Sequence, residues 1–367
     1  MLLLVQKNIK KNRILYFDQL RALAIIAVVC AHVALIWWHS KTGSLNLLVS
    51  YVFNVLGRYG VPIFLTLSGA LLLNKNYEIN EFLKKRFPRI IYPFLFWIIL
   101  SILVLTLTQQ DLSIFNSAYH YFSFAIEIFL TKRWYVWMLI GVYLIMPIIN
   151  EFIKNKGLKG VEYFLILWFI TTVICCITQY MKVSMYFLDL TFFAGPLGYV
   201  MLGYYLHNKK FKYSPNKMVL SGLILFALGT IFKVLMLWNG IHVCVYYIFQ
   251  TSSYLEIDIF NIIQIMGMFL TIKYLNNVTI KGKAKLSHFL STGIPRKLTD
   301  SLSRSSYGIY LNHYIVIDII LALNLKLTKH NALKWIPPLI IIVLITSWLI
   351  VLIVKKIPYL QKISGYY

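Results

Sequence analysis

The first apolar run of the sequence, YFDQLRALAIIAVVCAHVALIWW, carries Asp18, Arg21 and His32. Ionisable side chains inside a membrane-spanning segment are costly, and by default they mark a functional site. Along a helix the eleven residues from Arg21 to His32 turn through about 1100°, which leaves the two roughly 20° apart around the axis and about 16 Å apart along it. One helix face then offers an anion anchor near its end and a base further in. The competing reading is that Arg21 snorkels to lipid headgroups while His32 bonds a neighbouring helix.

Other residues could join this pair. The stretch NKNYEINEFLKKRFPRIIYPFLFW gathers Lys84, Lys85, Arg86 and Arg89 at the entrance to a further apolar run, with Pro88 suited to an early helical position. Such a cluster either holds phosphates, for which arginine forks give directional bonds, or is the basic flank of a span. Arg58, in LGRYGVPIFLTLSGALLL, either faces the bundle interior or snorkels outward. In IEIFLTKRWYVWML, Glu127, Trp134, Tyr135 and Trp137 read as an interfacial aromatic belt or as a surface on which a sugar-bearing acceptor stacks.

The run SRSSYGIYLNHYIVIDIIL places Tyr310 and His313 on one helix face, with Asp318 deeper. His313 lies about as far into its span as His32 lies into the first, so the two either form one proton-handling centre or His313 packs across helices. The four cysteines show neither metal-like nor disulfide spacing, and no metal is expected.

The elements that must position these groups are membrane helices. With 59% apolar residues and only 13% charged in 367, the chain falls outside the soluble globular range. The fold class is all-α, a polytopic membrane protein of about ten transmembrane helices. These run approximately over 15–38, 47–73, 88–108, 134–153, 161–180, 189–208, 217–238, 256–275, 303–323 and 336–354. The second contains Gly57, Gly60 and Pro62 and is expected to bend or break. The segment 119–130 is too short to span and reads as re-entrant or interfacial.

The net charge of +24 is mostly topology. With the N-terminus in the cytoplasm, the inside segments carry 26 of the 36 Lys and Arg residues and the outside segments seven. That asymmetry fits an even number of spans with both termini cytoplasmic and argues against nucleic acid as a partner. The first apolar run lacks a small-residue cleavage site and is expected to be a retained span. Residues 1–14 form a basic cytoplasmic segment, 15–354 one membrane domain and 355–367 a cytoplasmic tail, and the longest inside loop, 276–302, is basic. No internal repeat or mirrored pair of interrupted helices is visible, which weighs against a transporter built from inverted repeats.

With these pieces in order, the chain resembles the acyltransferase 3 family of membrane acyltransferases from about Tyr16 to the last span. The similar features are FDQLRALAIIAVVCAH, VPIFLTLSGALLL, KRFPR, WYVWMLIGVYLIMP, GPLGYVMLGYYL and SYGIYLNHY. The resemblance implies transfer of an acyl group, usually acetyl from cytosolic acetyl-CoA, to a hydroxyl of a cell-envelope glycan or lipid-linked sugar at the cell membrane. It places His32 at the catalytic histidine, as general base or acyl carrier, Arg21 at its paired basic position, and Arg86 and Arg89 at the family's RxxR element. On that basis the nucleotide phosphates rest among Arg86, Arg89 and Arg21, the thioester reaches His32, and Asp18 pairs with Arg21. His313 joins the catalytic group, and Arg58, Glu127, Trp134, Trp137 and Tyr310 line the acceptor side. Two rivals remain at this stage: a polysaccharide or lipid-linked sugar exporter, and the same enzyme with succinyl-CoA as donor.

Overall fold

The computed structural model describes residues 13–41, 43–108, 123, 125–129, 134–181, 193, 195–241, 257–279, 285–323 and 325–367. Among the described residues there is no strand. The principal helices are α1 (Leu15–Ala34), α2 (Leu45–Arg58), α3 (Gly60–Leu72), α4 (Ile79–Thr108), α5 (Trp134–Met181), α6 (Leu197–Asn208), α7 (Pro215–Trp238), α8 (Ile259–Leu275), α9 (Lys285–Ser291), α10 (Gly293–Ala322) and α11 (Ala332–Val354).

Six helical segments among the described residues are long and apolar enough to cross a membrane: Leu15–Trp37, Leu45–Leu72, Ile79–Leu107, Trp134–Thr178, Pro215–Trp238 and Ala332–Val354. The chain is therefore an all-α, multi-pass membrane protein. Against the ten expected spans, the fourth and fifth lie on one long element, α5, interrupted at Gly157, whose φ of 58° and ψ of −151° leave the helical region. The eighth corresponds to α8, of 17 residues. The ninth lies in α10, whose first turns are polar. Of the sixth, residues 189–192 and 194 lie outside the described residues, as do 119–122, 124 and 130 of the short segment 119–130.

The second expected span breaks at Tyr59, between α2 and α3. The Tyr59 N–H turns to the Gly57 carbonyl, so the Val55 carbonyl loses its intrahelical donor. Gln264 of α8 replaces it, donating from Nε2 at 3.1 Å. The exchange is what a membrane interior demands, because a backbone group freed there has no water to bond and needs a protein partner.

Two boundaries differ from the sequence reading. Helix α4 starts at Ile79, so Pro88 and Pro93 lie inside it and Pro88 is not in its first turn. Helix α10 starts at Gly293, so much of the expected inside loop 276–302 is helical. The stretch PRKLTDSLSRSS is polar, and Asp300 and Arg304 pair across one helical turn at 2.9 Å.

Helix α1 is the centre of the bundle. Leu20, Ile25, Val29 and Val33 are fully buried, and α2, α3, α10 and α11 pack around it. A helix enclosed on all sides presents its ionisable groups to protein rather than lipid. Helices α3 and α6 cross backbone to backbone, since a Cβ on Gly69 would collide with the Val200 carbonyl and one on Gly203 with the Thr66 carbonyl. A buried ion pair, Lys233 Nζ to Asp258 Oδ2 at 2.6 Å, links α7 to the start of α8.

Residues 361–367 do not trail away from the bundle. Trp97 of α4 donates from Nε1 to the Ser364 carbonyl at 3.2 Å, and the Gly308 N–H of α10 donates to the Gly365 carbonyl at 3.1 Å. Gly365 has φ of 79° and presses on Gly308, a close approach open only to residues without a Cβ.

Candidate active site

A cavity of about 770 Å³ opens among α1, α3, α4, α5 and α10. Six cationic side chains line it: Arg13, Arg21, Lys75, Arg86, Arg89 and Arg304. Asp18 is the single acidic side chain among its lining residues. A pocket of this size with so many convergent cations suits a ligand bearing several phosphates.

The local sequence explains the clustering. Arg86 and Arg89 are three residues apart on the early turns of α4, so both look the same way. Arg21 comes from the first turns of α1, and Arg304 from α10, whose liners Ser303, Ser306, Tyr307 and Tyr310 recur at helical spacing. Continuing that stripe by three residues reaches His313. The apolar side is Phe64, Leu67 and Leu71 of α3 with Leu139 of α5.

Asp18 is 1% exposed and gathers partners from three parts of the chain. It accepts from Arg13 Nη2 at 2.5 Å, Ser303 Oγ at 2.9 Å, Arg21 Nη1 at 3.4 Å and Arg296 Nη2 at 3.4 Å. The expected pairing with Arg21 is present, but it is one of the two longest of these contacts. The carboxylate orients guanidinium groups at the cavity wall.

Beyond Tyr310 lie the two histidines. Tyr310 is 3% exposed, its ring 5.2 Å from that of Tyr135 and 5.8 Å from that of His313. His313 is fully buried, and its Nε2 lies 3.1 Å from His32 Nδ1. Tyr314 borders both rings at 4.7 and 4.6 Å. Histidines 281 positions apart in the chain thus form one centre.

Arg58 is the last residue of α2, and its Nε donates to Asn54 Oδ1 at 2.8 Å. Asn54 in turn donates from Nδ2 to the Ala31 carbonyl at 3.0 Å, adjoining His32. Trp134 is half-buried, and Trp137 donates from Nε1 to the Phe129 carbonyl at 3.2 Å while packing on Phe94 and Phe129. Glu127 is exposed. The cavity lining takes Tyr135 from this region and not Trp134, Trp137 or Glu127.

Several wall residues escaped the sequence reading: Arg13, Lys75, Ser303, Arg304, Tyr307 and Tyr367. Arg304 had a signal, lying six residues before Tyr310 on a neighbouring face of the same helix. Tyr367 had none, because only the docking of 361–367 brings it there. Its N–H donates to the Arg304 carbonyl at 2.9 Å and its hydroxyl to the Arg89 carbonyl at 2.6 Å. Burial pushes the Tyr367 phenol up to about 12, with Arg89 opposing, so the hydroxyl stays a donor at neutral pH.

A family model described as an acyltransferase domain matches residues 14–355, which takes in both histidines, every principal helix and all of the cavity lining except Arg13 and Tyr367. No curated protein and no solved structure matches the chain.

Proposed function

The chain belongs to the acyltransferase 3 family, and on that premise we propose that it moves an acetyl group from cytosolic acetyl-CoA to a hydroxyl of a cell-envelope glycan or lipid-linked sugar. One observation supports this reading: a cavity walled by six cations reaches Tyr310 of α10, whose ring packs 5.8 Å from that of His313, the hydrogen-bond partner of His32. The donor's phosphates sit among Arg21, Arg86, Arg89 and Arg304, and its extended arm carries the thioester past Tyr310. The positive-inside asymmetry supports placing the basic end of the cavity and both termini on the cytoplasmic side.

At the histidine pair the acceptor oxygen attacks the thioester carbonyl carbon. His32 takes the hydroxyl proton as general base, the carbon–sulfur bond breaks, and the departing thiolate receives that proton. Arg58 stands one turn of α2 from the Asn54–Ala31 contact beside His32 and offers the acceptor side a cation.

The test incubates the purified protein in detergent with labelled acetyl-CoA and candidate envelope glycans, and scores acetate transfer and free CoA. Transfer by the wild type and its loss in a folded His32→Ala variant are the expected results. Absence of CoA binding by the wild type refutes the reading in favour of an exporter, and preference for succinyl-CoA changes the donor alone.

A further inference from the structure

The segment 361–367 is built into the wall of the cationic cavity, and its aromatic end has a geometry the transfer chemistry does not explain. Pro93 has no N–H to offer the Arg89 carbonyl one helical turn earlier. The Tyr367 hydroxyl supplies the missing donor at 2.6 Å. At its other end the Tyr367 N–H is fixed on the Arg304 carbonyl at 2.9 Å. Ser364, fully buried, is held by Trp97, and Tyr366 lies beneath Lys355 Nζ at 3.6 Å. The ring is thus pinned between α4 and α10, the two helices that supply Arg86, Arg89 and Arg304.

Five tyrosines line the cavity: Tyr135, Tyr143, Tyr307, Tyr310 and Tyr367. Tyr135 and Tyr310 are buried, Tyr143 is half-buried, and half-buried Tyr307 spends its hydroxyl on the Ile90 carbonyl at 2.8 Å. Tyr367 alone among the five is exposed, at 43%, and the Arg89 guanidinium sits 5.9 Å from its ring centre. A rigid aromatic face beside an arginine, at the edge of a phosphate-sized cluster of cations, matches the way proteins stack a base and hold its phosphates together.

We propose that Tyr367 is a donor-binding residue, whose ring stacks the heteroaromatic base of a nucleotide-bearing acyl donor while Arg89 beside it takes a phosphate. This rests on the acyl-CoA reading above and adds the part of the donor that is recognised. A donor shortened to its pantetheine arm lacks the base and gains nothing from Tyr367.

The experiment compares acetyl-CoA with S-acetylpantetheine as donors for the wild type, Tyr367→Leu and Tyr367→Phe, each checked for folded, monodisperse protein. Tyr367→Leu is expected to raise KM for acetyl-CoA by about 5- to 150-fold, the range of losing one base stack. Its kcat stays close to wild type, and turnover of S-acetylpantetheine is unchanged. Tyr367→Phe keeps the ring and recovers most of that loss. Equal losses with both donors, or an unchanged KM in Tyr367→Leu, overturn the proposal while leaving the acyl-CoA reading standing. A wild type that neither binds CoA nor turns over either donor removes both.

Discussion

His313 stands between two fixed points: its Nε2 is 3.1 Å from His32 Nδ1, and its Nδ1 is 3.1 Å from the Ile309 carbonyl oxygen. A carbonyl can only accept, so His313 Nδ1 carries the hydrogen, and in the neutral pair Nε2 accepts from His32 Nδ1–H. The basic lone pair of His32 is thereby assigned to its Nε2. His313 is then a positioning residue that sets the tautomer of the base.

From that relationship, His313→Ala is expected to lower kcat by about 100-fold, within the range one general base contributes. Donor KM should change little, because the cationic cavity is untouched. His313→Gln offers an amide oxygen to His32 Nδ1–H and should retain more activity than the alanine variant. Steady-state kinetics on folded protein give the ranking, and equal losses in both variants contradict the tautomer role.

Arg86 and Arg89 share one face of α4, and the proposed role of each is to bind charge. Arg86→Ala and Arg89→Ala should each raise acetyl-CoA KM by about tenfold or more, the worth of one charge-assisted hydrogen bond. Lysine at either position should recover only part, since an ammonium cannot make the forked contact. The same KM measured across a salt series should rise less steeply in the variants than in the wild type, because fewer cations remain to be screened.

Much of this arrangement was legible in the sequence because membrane physics leaves few choices. Asp18, Arg21 and His32 stand out because charge in an apolar run is costly, and no residue of α1 is exposed. The break near Gly57, Gly60 and Pro62 was readable from residue type alone, and it falls at Tyr59. What escaped were consequences of packing between distant segments. Gly69 and Gly203 look like ordinary members of apolar motifs, yet they set how closely α3 and α6 cross. The start of α10 at Gly293 was hidden because its first turns are polar, and apolar runs were the signal for helices. Tyr367 could not be placed at all without the contacts of Ser364 and Gly365.

Asp18 offers the sharpest separation of structural from chemical roles. Its carboxylate is 1% exposed and receives Arg13, Ser303, Arg21 and Arg296, joining the start of the described chain to α1 and α10. Removing it as Asp18→Ala leaves Arg21 and Arg296 without that counter-charge, while Arg13 keeps its ion pair with Asp300 at 2.9 Å. Breaking a buried pair from one side costs about 3–5 kcal/mol. A clear fall in the thermal unfolding midpoint in detergent is therefore expected. Ser303→Ala removes one hydrogen bond to the same carboxylate and should cost about 1.5–3 kcal/mol, the worth of a bond to a charged group. Asp18→Asn keeps an accepting oxygen but loses the charge, so it should fall between the two. In each variant the molecules that remain folded should keep kcat within about tenfold of wild type, with the larger change in donor KM as Arg21 and Arg13 lose their anchor. Were Asp18 a proton acceptor in the reaction, Asp18→Asn would instead abolish kcat with little change in the unfolding midpoint, and the two measurements together decide between these roles.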